Sequence, residues 1–172
     1  AVSAYHVVNE YEEEDLRSIL SLYGELRNAK AIAAQLVLVR SEQTIRTTEE
    51  LRVALQRFLP KHREHKILAQ IYQAIRIEVN QEIEVLKEFL MQTQEVLDAG
   101  GRLSLISYHS LEDRLVKRFI RNGLFEGEPE KDFYGRVEVP FKKVGKLIIP
   151  SQQEIKTNNR ARSAKLRIAE RL

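Results

Sequence analysis

"GGRLSLISYHSLEDRLVKRFIRN", residues 100–122, predicts a strand that runs directly into a helix. The segment 102–108 alternates apolar with polar residues, which is typical of a strand. A helix over 111–121 follows, and His109 and Ser110 lie at the joint between the two. Ligands bind at the carboxyl ends of the strands in open α/β sheets. The stretch therefore indicates the fold class and places a candidate site.

The hundred residues before this stretch follow a helical pattern. Four shorter helices come first, and Thr47 and Glu50 form a capping box at the start of the fourth. Apolar residues at spacings of three, four and seven then predict one long helix, or two nearly collinear helices, over 64–98 with a break at Asn80. The segment "AGG", 99–101, is expected to end this helical stretch, because glycine adopts the left-handed cap without steric cost.

The residues after 122 predict a loop, one or two strands over 136–150 around a turn at Gly145, a short helix and a final strand over 163–171. Helices and strands that alternate in this order predict an α/β fold, here part of a sheet with an all-helical segment in front of it. We divide the chain into a helical domain over 1–65 and an α/β domain over 66–172.

The charge of the chain is unevenly distributed. Residues 1–100 contain 12 Lys and Arg against 16 Asp and Glu, a balance of −4, whereas residues 101–172 contain 16 against 9, a balance of +7. A basic half indicates a polyanionic partner such as RNA or DNA, although a basic surface can also serve only for solubility. The chain has no cysteine, which excludes disulfides and thiolate metal sites and favours a reducing compartment, the cytoplasm. No apolar run is long enough to span a membrane.

The joint after the predicted strand carries the candidate catalytic residues. Ser110, with Asp113 in the first helical turn, is expected to be the N-cap of the helix. His109 has two possible roles, a hydrogen-bonded turn histidine or a cleft residue that binds or deprotonates a substrate. Ser107, at the end of the strand, is expected to line the same cleft.

Three basic groups are candidate RNA-binding sites. The helix after the joint carries one stripe, and two further groups lie on either side of residue 150: Arg114, Lys117, Arg118 and Arg121; Lys142 and Lys143; Arg160, Arg162 and Lys165. A basic stripe beside a cleft at a strand end suits binding to a phosphate backbone. We predict no metal site, because His62 and His65 have no acidic partner at metal-site spacing. No glycine-rich phosphate loop is present.

Four segments in order along the chain resemble the signatures of one family. They are "VVNEYEEEDLRSILSLYGELRNAKAIA" (7–33), "QAIRIEVNQEIEVL" (73–86), the opening stretch and "IPSQQEIKTNNRARSAKLRIAER" (149–171). The family is the bacterial small-subunit ribosomal RNA cytosine methyltransferases, MraW/RsmH. The resemblance implies a class I, Rossmann-like methyltransferase sheet with a helical insert, here 1–65, for substrate recognition. It also implies S-adenosylmethionine as methyl donor and the exocyclic 4-amino group of a cytidine in 16S rRNA as acceptor.

The resemblance covers only the C-terminal part of that family. The glycine-rich donor loop and the acidic residues that follow it in the family have no counterpart here, so no cofactor-binding residue is carried over. We therefore expect the isolated chain to be inactive, to bind no S-adenosylmethionine and to self-associate as a dimer through its incomplete sheet. Two alternatives remain, a stand-alone RNA-binding or ribosome-assembly module without catalysis, and a helical protein that only dimerises.

Overall fold

The computed structural model describes residues 2–135 and 137–172, so Arg136, the first residue of the predicted strand 136–150, lies outside the described residues. The chain forms two compact units, Ala1–Glu82 and Ile83–Leu172. The predicted domain boundary, by contrast, follows residue 65. The two boundaries differ because the helix that begins at Glu64 packs within the first unit. The function assigned to each domain stays a prediction.

The first unit is entirely helical. Its helices are α1 Ala4–Glu10, α2 Glu13–Leu22, α3 Ala29–Glu42, α4 Thr48–Ala54 and α5 Glu64–Asn80, with a 3₁₀ turn at Gln56–Phe58. The predicted capping box of Thr47 and Glu50 is present at the start of α4. Gln81 adopts a left-handed conformation, φ 51°, which ends α5. The predicted break next to Asn80 is therefore confirmed.

One hydrophobic core holds the first unit together. The apolar faces of α2, α3 and α5 supply its centre, including Leu20, Ile32 and Ile71, which are at most 1% exposed. Gly24, just after α2, approaches α5 so closely that an added Cβ would lie 3.0 Å from the backbone oxygen of Gln70. Helical spacing of apolar residues thus accounts for the packing in this unit.

The second unit is a small α/β structure. Its elements are α6 Glu82–Val96, β1 Arg102–Ser107, α7 Ser110–Asn122, β2 Phe141–Ile148, α8 Gln152–Thr157 and β3 Lys165–Arg171, with a 3₁₀ turn at Asn159–Ser163. The α/β fold class is confirmed. No helix in the described ranges is long and apolar enough to cross a membrane.

The three strands form an antiparallel sheet in the order β1-β3-β2, so the last strand of the chain is the central one. The predicted turn at Gly145 is wrong. Gly145, φ 66°, lies inside β2, where the register shifts between Val144 and Ile148. Glycine permits a positive φ at such an irregularity, so the strand bends there and continues.

The sheet has one covered and one uncovered face. Leu103 of β1, Phe141 of β2 and Ala169 of β3 are at most 7% exposed and pack with α7 and with Leu90 of α6. The alternate residues point to the other side of the sheet, where Ile106 is 59% exposed. On its outer edge β1 has no paired strand among the described residues.

Candidate nucleic-acid interface

The joint between β1 and α7 is closed by a capping box of His109 and Glu112. The imidazole Nδ1 of His109 accepts the Glu112 N–H at 3.4 Å. The Glu112 carboxylate in turn accepts the N–H of Tyr108 at 2.9 Å and that of His109 at 3.4 Å. Ser110, predicted to be the N-cap, is instead the first residue of α7. Nδ1 is as many bonds from Cα as the side-chain oxygen of an Asn cap, so a histidine can fill this position.

The capping box holds Glu112 as a carboxylate. Burial would raise the pKa of Glu112, but hydrogen bonds from His109 and the Tyr108 N–H outweigh it and lower that pKa to about 2. The second imidazole nitrogen, Nε2, is buried and lies 3.2 Å from the Glu112 carboxylate. These contacts suit the turn-histidine alternative. A role for His109 in a target-base pocket stays a prediction.

An ion cluster next to the joint ties α7 to the central strand. Asp113, 7% exposed, accepts two hydrogen bonds from Arg167, at 2.8 and 3.1 Å, and one from Lys165 at 3.3 Å. Burial would raise the pKa of Asp113, but these two cations lower it. Lys165, predicted to bind RNA, is therefore paired with a carboxylate. Ser107, opposite Lys165 in the register, is 4% exposed.

Two of the three predicted basic groups meet in one groove of about 400 Å³ between α7 and the edge strand β2. We call it the basic groove. Its cations come from both elements and from β3: Lys117, Arg121, Lys142, Lys143, Lys146 and Arg167. Apolar side chains such as Ile120, Phe141 and Leu147 line the rest of it, and none of the described residues that line it is acidic. A positive rim around an apolar floor is the arrangement that a phosphate backbone and its bases require.

The other predicted cations have different surroundings. Arg118 donates a hydrogen bond to the backbone oxygen of Gly127, so its guanidinium holds the loop after α7. Arg114 lines a separate hollow of about 360 Å³ that it shares with Lys117, Arg118 and Arg121. Within the basic groove, Lys142 pairs with Glu170 at 2.6 Å.

The third basic group lies elsewhere. Arg160 and Arg162 are exposed on the 3₁₀ turn Asn159–Ser163 and do not line the basic groove. Arg167 and Lys146 line the basic groove but are not among the predicted site residues. The alternation of β3 does carry a signal for Arg167, because it places that residue on the same face as Lys165. No cluster of metal-ligating residues is present in the two described ranges.

A family profile and individual relatives both show similarity of this chain to one group of proteins. The sequence profile described as the MraW methylase family matches residues 1–172. A protein of Flavobacterium psychrophilum named "Ribosomal RNA small subunit methyltransferase H" is 69% identical over 170 residues, which are 99% of this chain and 58% of the relative. Proteins of the same name from Christiangramia forsetii and Bacteroides thetaiotaomicron are 66% and 49% identical, over 99% of this chain and 57% and 56% of their own lengths. The chain thus spans somewhat more than half the length of these relatives.

Proposed function

The chain belongs to the MraW methylase family, and from that premise we propose that it supplies the RNA-holding part of an enzyme that methylates small-subunit ribosomal RNA. The observation that carries the proposal is the basic groove, where cations of α7, β2 and β3 surround an apolar floor. Phosphates pair with the cations, and a ribose or base covers the floor. Lys142 and Arg167 are paired with Glu170 and Asp113, so the field that attracts a polyanion comes from the groove's other cations, Lys117, Arg121, Lys143 and Lys146.

The reaction that we infer for the whole enzyme is methylation of the exocyclic 4-amino group of a cytidine in 16S rRNA. S-adenosylmethionine, when bound, supplies an electrophilic methyl group on a sulfonium. A base must leave its stack before such an enzyme can reach it. The contribution of this chain is to hold the RNA backbone while the cytidine is presented, and Ser107, His109 and Ser110 are proposed to line the wall of its pocket.

The residues at the joint do not fit the methyl donor by themselves. A carboxylate that binds the donor's ribose hydroxyls must be able to accept their hydrogen bonds. Glu112 already accepts backbone N–H groups, and Asp113 already accepts from Arg167 and Lys165. These residues therefore supply no methyl-transfer step by themselves, and we expect the isolated chain to be inactive.

The sheet supports a role within a larger protein. β1 is unpaired on its outer edge among the described residues, and one face of the sheet is exposed at Ile106. Exposed edges and apolar faces of this kind are normally covered. We infer that further strands complete a class I methyltransferase sheet beside β1, and that residues 1–65 form the helical insert of that protein.

A charge-reversal experiment tests the proposed RNA contact. Lys143 and Lys146 are exposed in the basic groove, while Lys131 and Lys156 are exposed outside it. We expect Lys143→Glu with Lys146→Glu to weaken binding of a labelled single-stranded RNA at least about tenfold and to reduce the salt slope by about 1.4, or about 0.7 per lost phosphate contact. The matched pair Lys131→Glu with Lys156→Glu should change neither value appreciably. Equal losses of RNA affinity in the two double variants would mean that the RNA responds to the overall charge of the chain and that the basic groove is not a specific contact.

A methylation assay separates the enzyme from a binding module. In a protein of the relatives' full length, the groove variant should raise the KM for the small ribosomal subunit and leave the KM for S-adenosylmethionine unchanged. RNA binding without any methyl transfer in the unmodified full-length protein would favour the stand-alone RNA-binding alternative.

A further inference from the structure

The helical first unit contains a groove of its own, about 390 Å³ in volume, between α1, the start of α4 and α5. We call it the tyrosine groove. Tyr5 of α1 and Tyr72 of α5 are 44% and 36% exposed at this groove, and Val8, Leu51 and Ile75 form apolar surface beneath them. A tyrosine ring has a large apolar area and a polar tip, and rings left partly open to solvent in a concave site are typical of surfaces that bind a partner.

Two cations lie at the rim of this groove. Among the described residues that line it, Arg46 and Arg76 are the charged ones, and both are exposed. Arg76 is held in place by Glu82, which accepts from its Nε at 2.8 Å and from its Nη2 at 3.1 Å, although Glu82 does not line the groove. An aromatic, apolar interior with cations at the rim fits a ligand that combines a flat ring with a separate negatively charged group.

We propose that the tyrosine groove binds one unstacked nucleotide of single-stranded RNA, with its base against the tyrosine rings and its phosphate beside Arg46 at the rim. The inference rests on the proposed function, since it names the part of the substrate that the helical unit recognises. Stacking of a base on an aromatic side chain is tolerant of sequence, because every base has a π-face. The tyrosine groove therefore adds affinity for unpaired RNA without specifying a base.

The experiment compares ring-deleted variants of the 172-residue chain by fluorescence anisotropy with a 5′-labelled single-stranded RNA. Tyr72→Leu keeps an apolar side chain and removes the ring, so it should weaken binding about tenfold, which corresponds to one lost base-stacking contact. Tyr72→Phe should bind like the unmodified chain. Tyr134 is 81% exposed and lies outside the groove, so Tyr134→Leu is the matched control, expected to change affinity less than about twofold.

A strand of the same length with abasic nucleotides supplies the second readout. The unmodified chain should bind it at least about tenfold more weakly than the base-bearing strand, and Tyr72→Leu should narrow this difference, because its loss of affinity falls on the base-bearing strand alone. Unchanged affinity in Tyr72→Leu, or an equal loss on the two strands, would overturn the inference. Charge reversal in the basic groove should weaken both strands alike, because phosphates are present in both. If Tyr72→Leu leaves the affinity unchanged while charge reversal in the basic groove weakens it, this inference alone is removed. If the unmodified chain binds neither strand, the proposed function is removed as well.

Discussion

The carboxylate of Asp113 on α7 accepts both a 2.8 Å and a 3.1 Å hydrogen bond from the guanidinium of Arg167 on the central strand β3. The side chains are only 10% and 14% exposed, so the pair is largely withdrawn from water. Such a pair adds little when intact, but its remaining charge is costly when one partner is removed. The relationship matters for function because it fixes α7, one wall of the basic groove, against the sheet.

Asp113→Asn is therefore expected to destabilise the second unit by about 3 kcal/mol at neutral pH. The pKa of Asp113 is lowered in the folded state, so its contribution is present above the ordinary carboxyl pKa of about 4 and is lost as pH falls through the lower folded value. Urea titrations followed by NMR signals of β3 at several pH values measure both effects. Glu95→Gln, at an exposed position on α6, is the control. Equal stability of Asp113→Asn and the unmodified chain at neutral pH would contradict this account.

His109→Asn can separate the two roles considered for His109. Asparagine is a good N-cap, so this variant should keep the helix start, whereas His109→Ala should lose about 1 kcal/mol of stability. If His109 lines the target-base pocket as proposed, His109→Asn in the full-length enzyme should lower the methylation rate roughly a hundredfold, the cost of a misplaced substrate. Chemical denaturation and methylation of small subunits are the two measurements. Normal methylation by His109→Asn would leave His109 with its capping role alone.

The titration of Glu112 gives a further check on the capping box. NMR observation of its side-chain carboxyl carbon should show a pKa of about 2 in the folded chain. A depressed folded value means that the stabilisation exists above the unfolded carboxyl pKa and disappears as pH falls toward about 2. His109→Ala should move the Glu112 pKa upward, because the imidazole nitrogen that lies 3.2 Å from the carboxylate is lost. An ordinary carboxyl pKa for Glu112 in the unmodified chain would mean that the box is not formed in solution.

Local sequence patterns predicted the helices and strands of this fold well. The features that they did not predict depend on pairing between residues far apart in the chain. The strand 102–108 and helix 111–121 were predicted to within about one residue at each end, because alternation and helical spacing are local signals. The N-cap was misplaced by one residue, since Ser is a more usual cap than His. The bulge at Gly145 was not predictable, because a glycine in a β-rich segment marks a turn and a bulge equally well.

The candidate site shows the same division. Helical spacing put Lys117 and Arg121 on one stripe, and the structure brings both to the basic groove with Lys142 and Lys143. The spacing could not reveal that Arg118, in the same stripe, bonds to Gly127 in the following loop. Nor could it show that Lys165 meets Asp113, a residue 52 positions away. The sequence shows which charged residues share a face of a helix or strand, but tertiary contacts decide which of them remain available to RNA.

This distinction predicts different outcomes for neighbouring cations of α7. Arg118→Ala should increase hydrogen exchange in the loop 123–135, because the contact with the Gly127 oxygen is lost, and should change RNA affinity little. Lys117→Ala should leave loop exchange unchanged and reduce the salt slope of RNA binding by about 0.7. Hydrogen-exchange mass spectrometry and anisotropy titrations measure the two quantities on the same samples. A larger salt-slope change in Arg118→Ala than in Lys117→Ala would mean that Arg118, and not Lys117, contacts the RNA phosphates.

The uncovered sheet face predicts self-association of the isolated chain. Ile106 on β1 and Ile148 on β2 are 59% and 50% exposed, and β1 has no strand on its outer edge in the described residues. Two copies can bury these surfaces against each other, so we expect the weight-average mass to rise with concentration in sedimentation equilibrium. Ile106→Lys with Ile148→Lys should shift the chain toward monomer without loss of stability, because both side chains are already exposed. Val96→Lys, at a 79% exposed position on α6, should not. A monomer at every concentration for the unmodified chain would show that the exposed face is tolerated in isolation, and it would remove the expectation of a dimer.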